Sequence, residues 1–194
     1  MLAVYARYRG REVHRESLVR RSAEALSTMH GVGTFQVLGE EDICATVDSP
    51  EAICDTVMAL LSDGSWAAGI GILPGSVRTE AEAEAVRRVA ATSLARRARS
   101  GSVGVRVASP GAGSAAGDIS ATFALIGYAL SKRTVEGREA TSLMRAGMNQ
   151  NEAAEELGIS KQAMSQRLQA AGWQAETAGW QLAVNLIRRA EKEA

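Results

Sequence analysis

The sequence predicts an α+β fold, and three observations predict it. From Leu2 to Leu73, short β-rich runs alternate with amphipathic stretches as strand, helix, strand, strand, helix, strand. That order is the pattern of a ferredoxin-like split βαβ unit. Next, Ser109 to Gly117 (SPGAGSAAG) is uncharged, made only of glycine, alanine, serine and proline, and reads as a linker. Beyond it every segment has helical periodicity, including two short helices joined by a tight turn between Gln150 and Ala171. The expected division is a ferredoxin-like domain at 1–108, for sensing or dimerisation, a linker at 109–118, and an all-α domain at 119–194 with a helix-turn-helix at 150–171.

Leu2–Tyr8 (LAVYARY) is short and β-rich, hence a strand. Val13–Met29 sets Val13, Leu18, Ala23, Leu26 and Met29 among charges, an amphipathic helix that the glycines of His30–Gly33 break. Thr34–Leu38 and Ile43–Val47 read as a hairpin around Gly39-Glu40-Glu41-Asp42. Asp48-Ser49-Pro50-Glu51 starts a helix that runs to about Leu61, and Asp63-Gly64-Ser65 stops it. Trp66–Leu73 (WAAGIGIL) is a buried strand whose glycines permit close backbone approach. A long helix is expected over Glu80–Arg99, with an alanine-rich and an arginine-rich face, and a fifth strand over Val103–Ala108. Ile119–Lys132, Thr134–Ala146 and Glu176–Glu193 are helical, with Gly147 and Gly172 as separators.

Hydrophobic residues make up 46% of the chain and aromatics only 4%, so the core must rest on alanine, valine, leucine and isoleucine. The formal net charge is zero, which excludes a protein whose whole surface is a basic nucleic-acid sponge. Cys44 and Cys54 lack metal-ligand spacing, and His14 and His30 lie at opposite ends of one expected helix, so neither a metal nor another cofactor is expected. The chain has no run of apolar residues long enough to span a membrane and no apolar signal core at its start, which points to a cytoplasmic protein. The run GIGILPG lacks the spacing of a dinucleotide fingerprint.

The most informative stretch is QNEAAEELGISKQAMSQRLQAA, from Gln150. Ala153, Ala154 and Leu157 form the inner face of its first helix, and Gly158 ends that helix where φ > 0 is needed. Ile159 fills the space below the turn, and Ser160 caps a second helix that buries Ala163, Met164 and Leu168. Small polar and basic side chains occupy the outer face. Gln162, Ser165, Gln166 and Gln169 suit base edges in a major groove, while Lys161 and Arg167, with Ser160 at the helix start, suit phosphates. Double-stranded DNA is the expected partner, through Ser160, Lys161, Gln162, Ser165, Gln166, Arg167 and Gln169.

The stretch from Arg133, RTVEGREATSLMRAGMNQNEAAEELGISKQAMSQRLQAAGW, is similar to the C-terminal segment of actinobacterial SatD-like proteins. There an RT-x-x-G-x-E helix precedes a helix-turn-helix like that of sigma factor region 4. The N-terminal half resembles the same family more loosely, through WAAGIGIL and the hairpin around LGEED. The resemblance implies a degenerate domain related to the palm of nucleotide cyclases. Palm chemistry needs metal-binding carboxylates on the first strand and in the hairpin. Here the first strand ends Tyr5-Ala6-Arg7-Tyr8-Arg9, without an acid, while the hairpin keeps Glu40, Glu41 and Asp42.

The expected function is therefore a non-enzymatic, DNA-binding transcription regulator. It is expected to act as a homodimer, because one near-neutral module gains little from counterion release. The expected seam lies on the long helix at Ala85, Val89 and Thr92, and an unknown small-molecule ligand is a further candidate partner. Two other classes remain open: a divergent cyclase-like enzyme using Glu40, Glu41 or Asp42, and an interaction module whose helix-turn-helix docks a protein.

Overall fold

The structure is a computed structural model, and it describes residues 1–75 and 79–192. Its elements are β1 (Leu2–Tyr8), α1 (Arg15–Ser27), β2 (Gln36–Val37), β3 (Asp42–Val47), α2 (Pro50–Asp63), β4 (Trp66–Ile72), α3 (Glu80–Ser93) and β5 (Val103–Val107), then α4 (Gly113–Ser131), α5 (Val135–Arg145), α6 (Gln150–Glu156), α7 (Lys161–Ala170) and α8 (Trp173–Lys192). The fold is α+β, as the alternation predicts. The strands form one sheet in the order β2-β3-β1-β4-β5. β1 is central and antiparallel to both β3 and β4, which is the split βαβ arrangement. β5 adds a parallel edge strand beside β4, reached through α3.

Period-two alternation sorts side chains to the two faces of the sheet. Leu2, Val4, Ala6 and Tyr8 of β1, with Trp66, Ala68, Ile70 and Ile72 of β4, enter the larger core under α1 and α2. Ala3, Tyr5 and Ala67 face α3, which covers the opposite side with Val86, Ala90 and Leu94. The glycines of β4 and β5 make that approach possible. A Cβ on Gly71 would stand 2.5 Å from Ala90 N, and one on Gly104 2.1 Å from Ser93 O.

Several boundaries differ from the sequence reading. α3 stops at Ser93, six residues before Arg99, because Leu94 turns to an extended ψ of 125° and buries its side chain beside Val86 and Ala90. Residues 113–118, expected in the linker, form the first turns of α4, since alanine and isolated glycines do not break a helix that packs on β5. α8 begins at Trp173, immediately after Gly172 takes φ +67°. Glu193, the expected end of the last helix, lies outside the described residues.

α4 and α8 pack side by side on the sheet. Ile119, Phe123, Ile126 and Leu130 of α4, with Ala183, Val184, Ile187 and Ala190 of α8, belong to the same buried cluster as β1 and β4. The three helices between them have a separate small core of Ala140, Ala153, Ala154, Met164 and Leu168, so α4 and α8 act as the two stalks that carry it. No described helix is long and apolar enough to cross a membrane.

Candidate nucleic-acid interface

The three carried helices start with sequence-encoded caps. The Thr134 hydroxyl accepts from Gly137 N–H at 3.2 Å to open α5. Asn149 and Glu152 form a reciprocal capping box at α6. Gly158, at φ +63°, turns the chain, and Ile159 N–H donates to Ala154 O at 3.0 Å, closing the turn. Ser160 Oγ then accepts from Ala163 N–H at 3.1 Å and caps α7. Ala153 and Ala154 are fully buried, which lets α6 lie close against α7.

Burial of Met164 and Leu168 against α5 and α6 fixes the rotation of α7. Lys161, Gln162, Ser165, Gln166 and Gln169 are consequently all exposed, on one face that holds no acid. Ser160 is exposed too, with its oxygen engaged as the cap. Arg167 is placed differently from the others. It is half-buried on the flank toward α5, near Glu136. The Glu136 carboxyl is held below its ordinary range by its own backbone N–H, then by Thr134, with a smaller contribution from the Arg167 charge. A shallow groove lined by Gln150, Ser165, Gln169, Trp173 and Gln174 runs along one edge of the exposed face.

The sequence reading missed the group that holds this unit to its stalks. Glu176, on α8, is 3% exposed and pairs with two arginines. Arg133, 2% exposed, meets its Oε2, and Arg145 Nε donates to its Oε1 at 2.7 Å. Arg133 Nε also donates to Ala171 O at 2.8 Å, so one guanidinium ties the end of α4 to the end of α7. The sequence held one signal: Glu176 lies on the helical stripe of Trp180, Ala183 and Ile187, where a lone charge requires a buried partner.

The hairpin acids are paired as well. Asp42 stands opposite Arg7 in the β1–β3 register, and both its oxygens accept from that guanidinium, at 2.7 and 3.0 Å. Glu41 accepts from Arg9 at 3.2 Å and from Arg15 at 2.5 Å. Tyr5 Oη accepts from Arg7 at 2.5 Å, and burial, reinforced by Asp42, holds its pKa above the ordinary phenol range. The end of β1 thus presents arginines, not acids, in contact with the carboxylates across the hairpin. No cluster of three potential metal ligands occurs among the described residues. Cys44 and Cys54 are buried free thiols, and burial pushes Cys44 up to about 12.

Comparison with known proteins is sparse. No family model and no curated protein matches the chain. Among solved structures, a regulator of polyketide synthase expression from Bifidobacterium adolescentis is similar at 17% identity, covering 98% of this chain and 84% of that one, with a TM-score of 0.25. A superposition of that quality carries no argument about fold or function. The SatD-like resemblance therefore rests on its motif residues alone.

Proposed function

We propose that this protein is a DNA-binding transcription regulator that reads the major groove with α7. The observation that supports it is the outer face of that helix: five exposed polar or basic side chains, no acid, and a rotation fixed by buried Met164 and Leu168. Glutamine pairs in bidentate fashion with adenine, and exposed N–H groups at the start of α7 favour a phosphate. Ser160, Lys161, Gln162, Ser165, Gln166 and Gln169 form the contact set, and Arg167 reaches a phosphate only at the α5 edge.

The cyclase-like alternative is disfavoured by the pairing at the sheet end. A divalent cation there would have to displace Arg7 from both oxygens of Asp42, or Arg9 and Arg15 from Glu41. The protein acts in this reading as a homodimer, with α4 and α8 as the stalks that carry the reading helices on the sheet.

The deciding experiment is a genome-wide binding profile followed by equilibrium binding of the enriched duplex to the purified chain. A reproducible site, bound with steep salt dependence, is expected. Mg²⁺-dependent turnover of ATP or GTP, or salt-insensitive capture of a protein with no DNA shift, would replace the reading with the enzyme or the docking module.

A further inference from the structure

The arginines that follow α3 are not one helix face. Arg87 and Arg88 lie within the helix and pair with Glu80 and Glu84. Arg96, Arg97 and Arg99 lie beyond it, in the turn 94–101, and are exposed with no acid partner among the described residues. The backbone of this turn is held from beneath. Arg9 donates to Ala98 O at 3.1 Å and Arg96 O at 3.0 Å, and Arg7 donates to Arg96 O at 3.3 Å. Leu94 and Ala98 anchor the same turn in the core under α3. Two guanidiniums that already bind Asp42 and Glu41 therefore fix a loop whose own three guanidiniums point outward. With Arg9 they rim an open depression.

The topology sets where this cluster stands. Gly101 N–H donates to Trp66 O, at the end of the sheet where Tyr8 of β1 pairs with Trp66 of β4. α4 runs along β5 toward that end: Ser120 Oγ donates to Val103 O, and Gly127 lies beside Gly101 O. Four residues later α4 ends and delivers α5, α6 and α7. The arginine turn and the carried helices thus leave the α/β layer at the same end, from opposite faces of the sheet.

The carried unit needs such a neighbour. Lys161 is the one basic residue on the outer face of α7, and α6 beside it exposes Glu152, Glu155 and Glu156. That balance gives little counterion release on a duplex.

We propose that Arg96, Arg97 and Arg99 form a second phosphate-contacting surface, which grips the DNA backbone flanking the segment read by α7. This rests on the DNA-binding reading above. Each phosphate neutralised contributes about 0.9 to the slope of log K against log salt, so the turn contributes up to about 2.7. The contact is to backbone charge, so it is indifferent to base sequence and is preserved by lysine.

The test measures anisotropy of a labelled duplex of about 25 base pairs, some two and a half helical turns, across a salt series with the full-length chain. Three variants are compared with the parent: R96A/R97A/R99A, R96K/R97K/R99K and K161A/Q162A/Q166A. Thermal midpoints control for folding, since the three arginines are exposed and have no acid partner among the described residues. The expected result is a slope lowered by about two to three in the alanine variant, an almost unchanged slope in the lysine variant, and base preference unchanged in both. If the alanine variant keeps the parental slope while the α7 variant loses affinity, the second surface is wrong and the α7 reading stands. If the loop variant abolishes binding and the α7 variant does not, the turn survives and the α7 reading fails. No binding by the parent chain even at low salt overturns both.

Discussion

Glu176 occupies a position where an apolar side chain would continue the stripe of α8, and it is kept there by Arg133 and Arg145. Glu176→Leu would leave Arg133 charged and buried without its carboxylate, and breaking such a pair costs about 3–5 kcal/mol. Chemical denaturation is expected to show a loss of that size, and much of it is expected to return in Glu176→Leu with Arg133→Met, where neither charge is buried. A cost below about 1 kcal/mol in the single variant would show that the pair does not hold the unit to its stalks. On α7 the proposed chemistry is recognition rather than stability. Gln166 is exposed, so Gln166→Ala is expected to leave the unfolding midpoint within experimental scatter and to relax preference at one base position by about 1–3 kcal/mol. Selection from a randomised duplex library measures it, and an unaltered sequence logo would remove Gln166 from the base-reading set.

At the scale of elements, α3 depends on the absence of side chains beneath it. Gly69, Gly71 and Gly104 face its backbone, and a Cβ on Gly71 would also come within 2.6 Å of Val86 O. Gly71→Ala is expected to push α3 off the sheet at a cost of about 1–3 kcal/mol, the usual range for overpacking. Because Leu94 and the turn behind it move with α3, the same variant is expected to weaken DNA binding as well as stability. Unchanged stability would mean that α3 sits further from the sheet than its contacts indicate. Gly69 and Gly71 were legible in the sequence as part of a strand that lets a backbone approach, and so were the first four strands, the helix start at Asp48–Glu51, the caps at Thr134 and Ser160, and the turn at Gly158, because each depends on near neighbours in the chain, whereas the same role of Gly104 was not. What was not legible depends on distant residues. Alanine-rich 113–118 has the composition of a linker and becomes helical through packing on β5. Arg96–Arg99 has helical composition and leaves the helix because Leu94 finds a buried site and Arg7 and Arg9, nearly ninety positions earlier, bind its carbonyls. The candidate base-reading face was legible from the apolar Met164 and Leu168 of α7, but Ala163, expected to be buried with them, is half-buried, and the half-burial of Arg167 required the position of α5.

For the whole molecule, the remaining prediction concerns association. The seam expected on α3 exposes little apolar surface, since Ala85 and Val89 are half-buried, Thr92 is the exposed one of the three, and the Glu84–Arg88 ion pair lies on the same helix. α4 offers a better one. Asp118, Ala121, Leu125, Tyr128 and Lys132 recur at alternating spacings of three and four and are all exposed, with Leu125 73% and Tyr128 67% accessible. The stripe is self-complementary. Asp118 and Lys132 are equally far from Leu125, so two α4 helices packed antiparallel about a two-fold axis would bring Asp118 against Lys132 of the partner subunit, twice. Linking two weakly charged reading units on one duplex raises effective affinity by about 10²–10⁴ without new contacts. Sedimentation at micromolar protein is therefore expected to give twice the chain mass. Asp118→Lys alone is expected to yield monomers by setting lysine against lysine, and Asp118→Lys combined with Lys132→Asp is expected to restore the dimer, because the swap recreates both pairs. A dimer untouched by the single substitution would place the seam elsewhere, and a parent chain that stays monomeric and binds DNA one to one would remove the dimer from the mechanism, leaving the arginine turn as the source of the charge that α7 lacks.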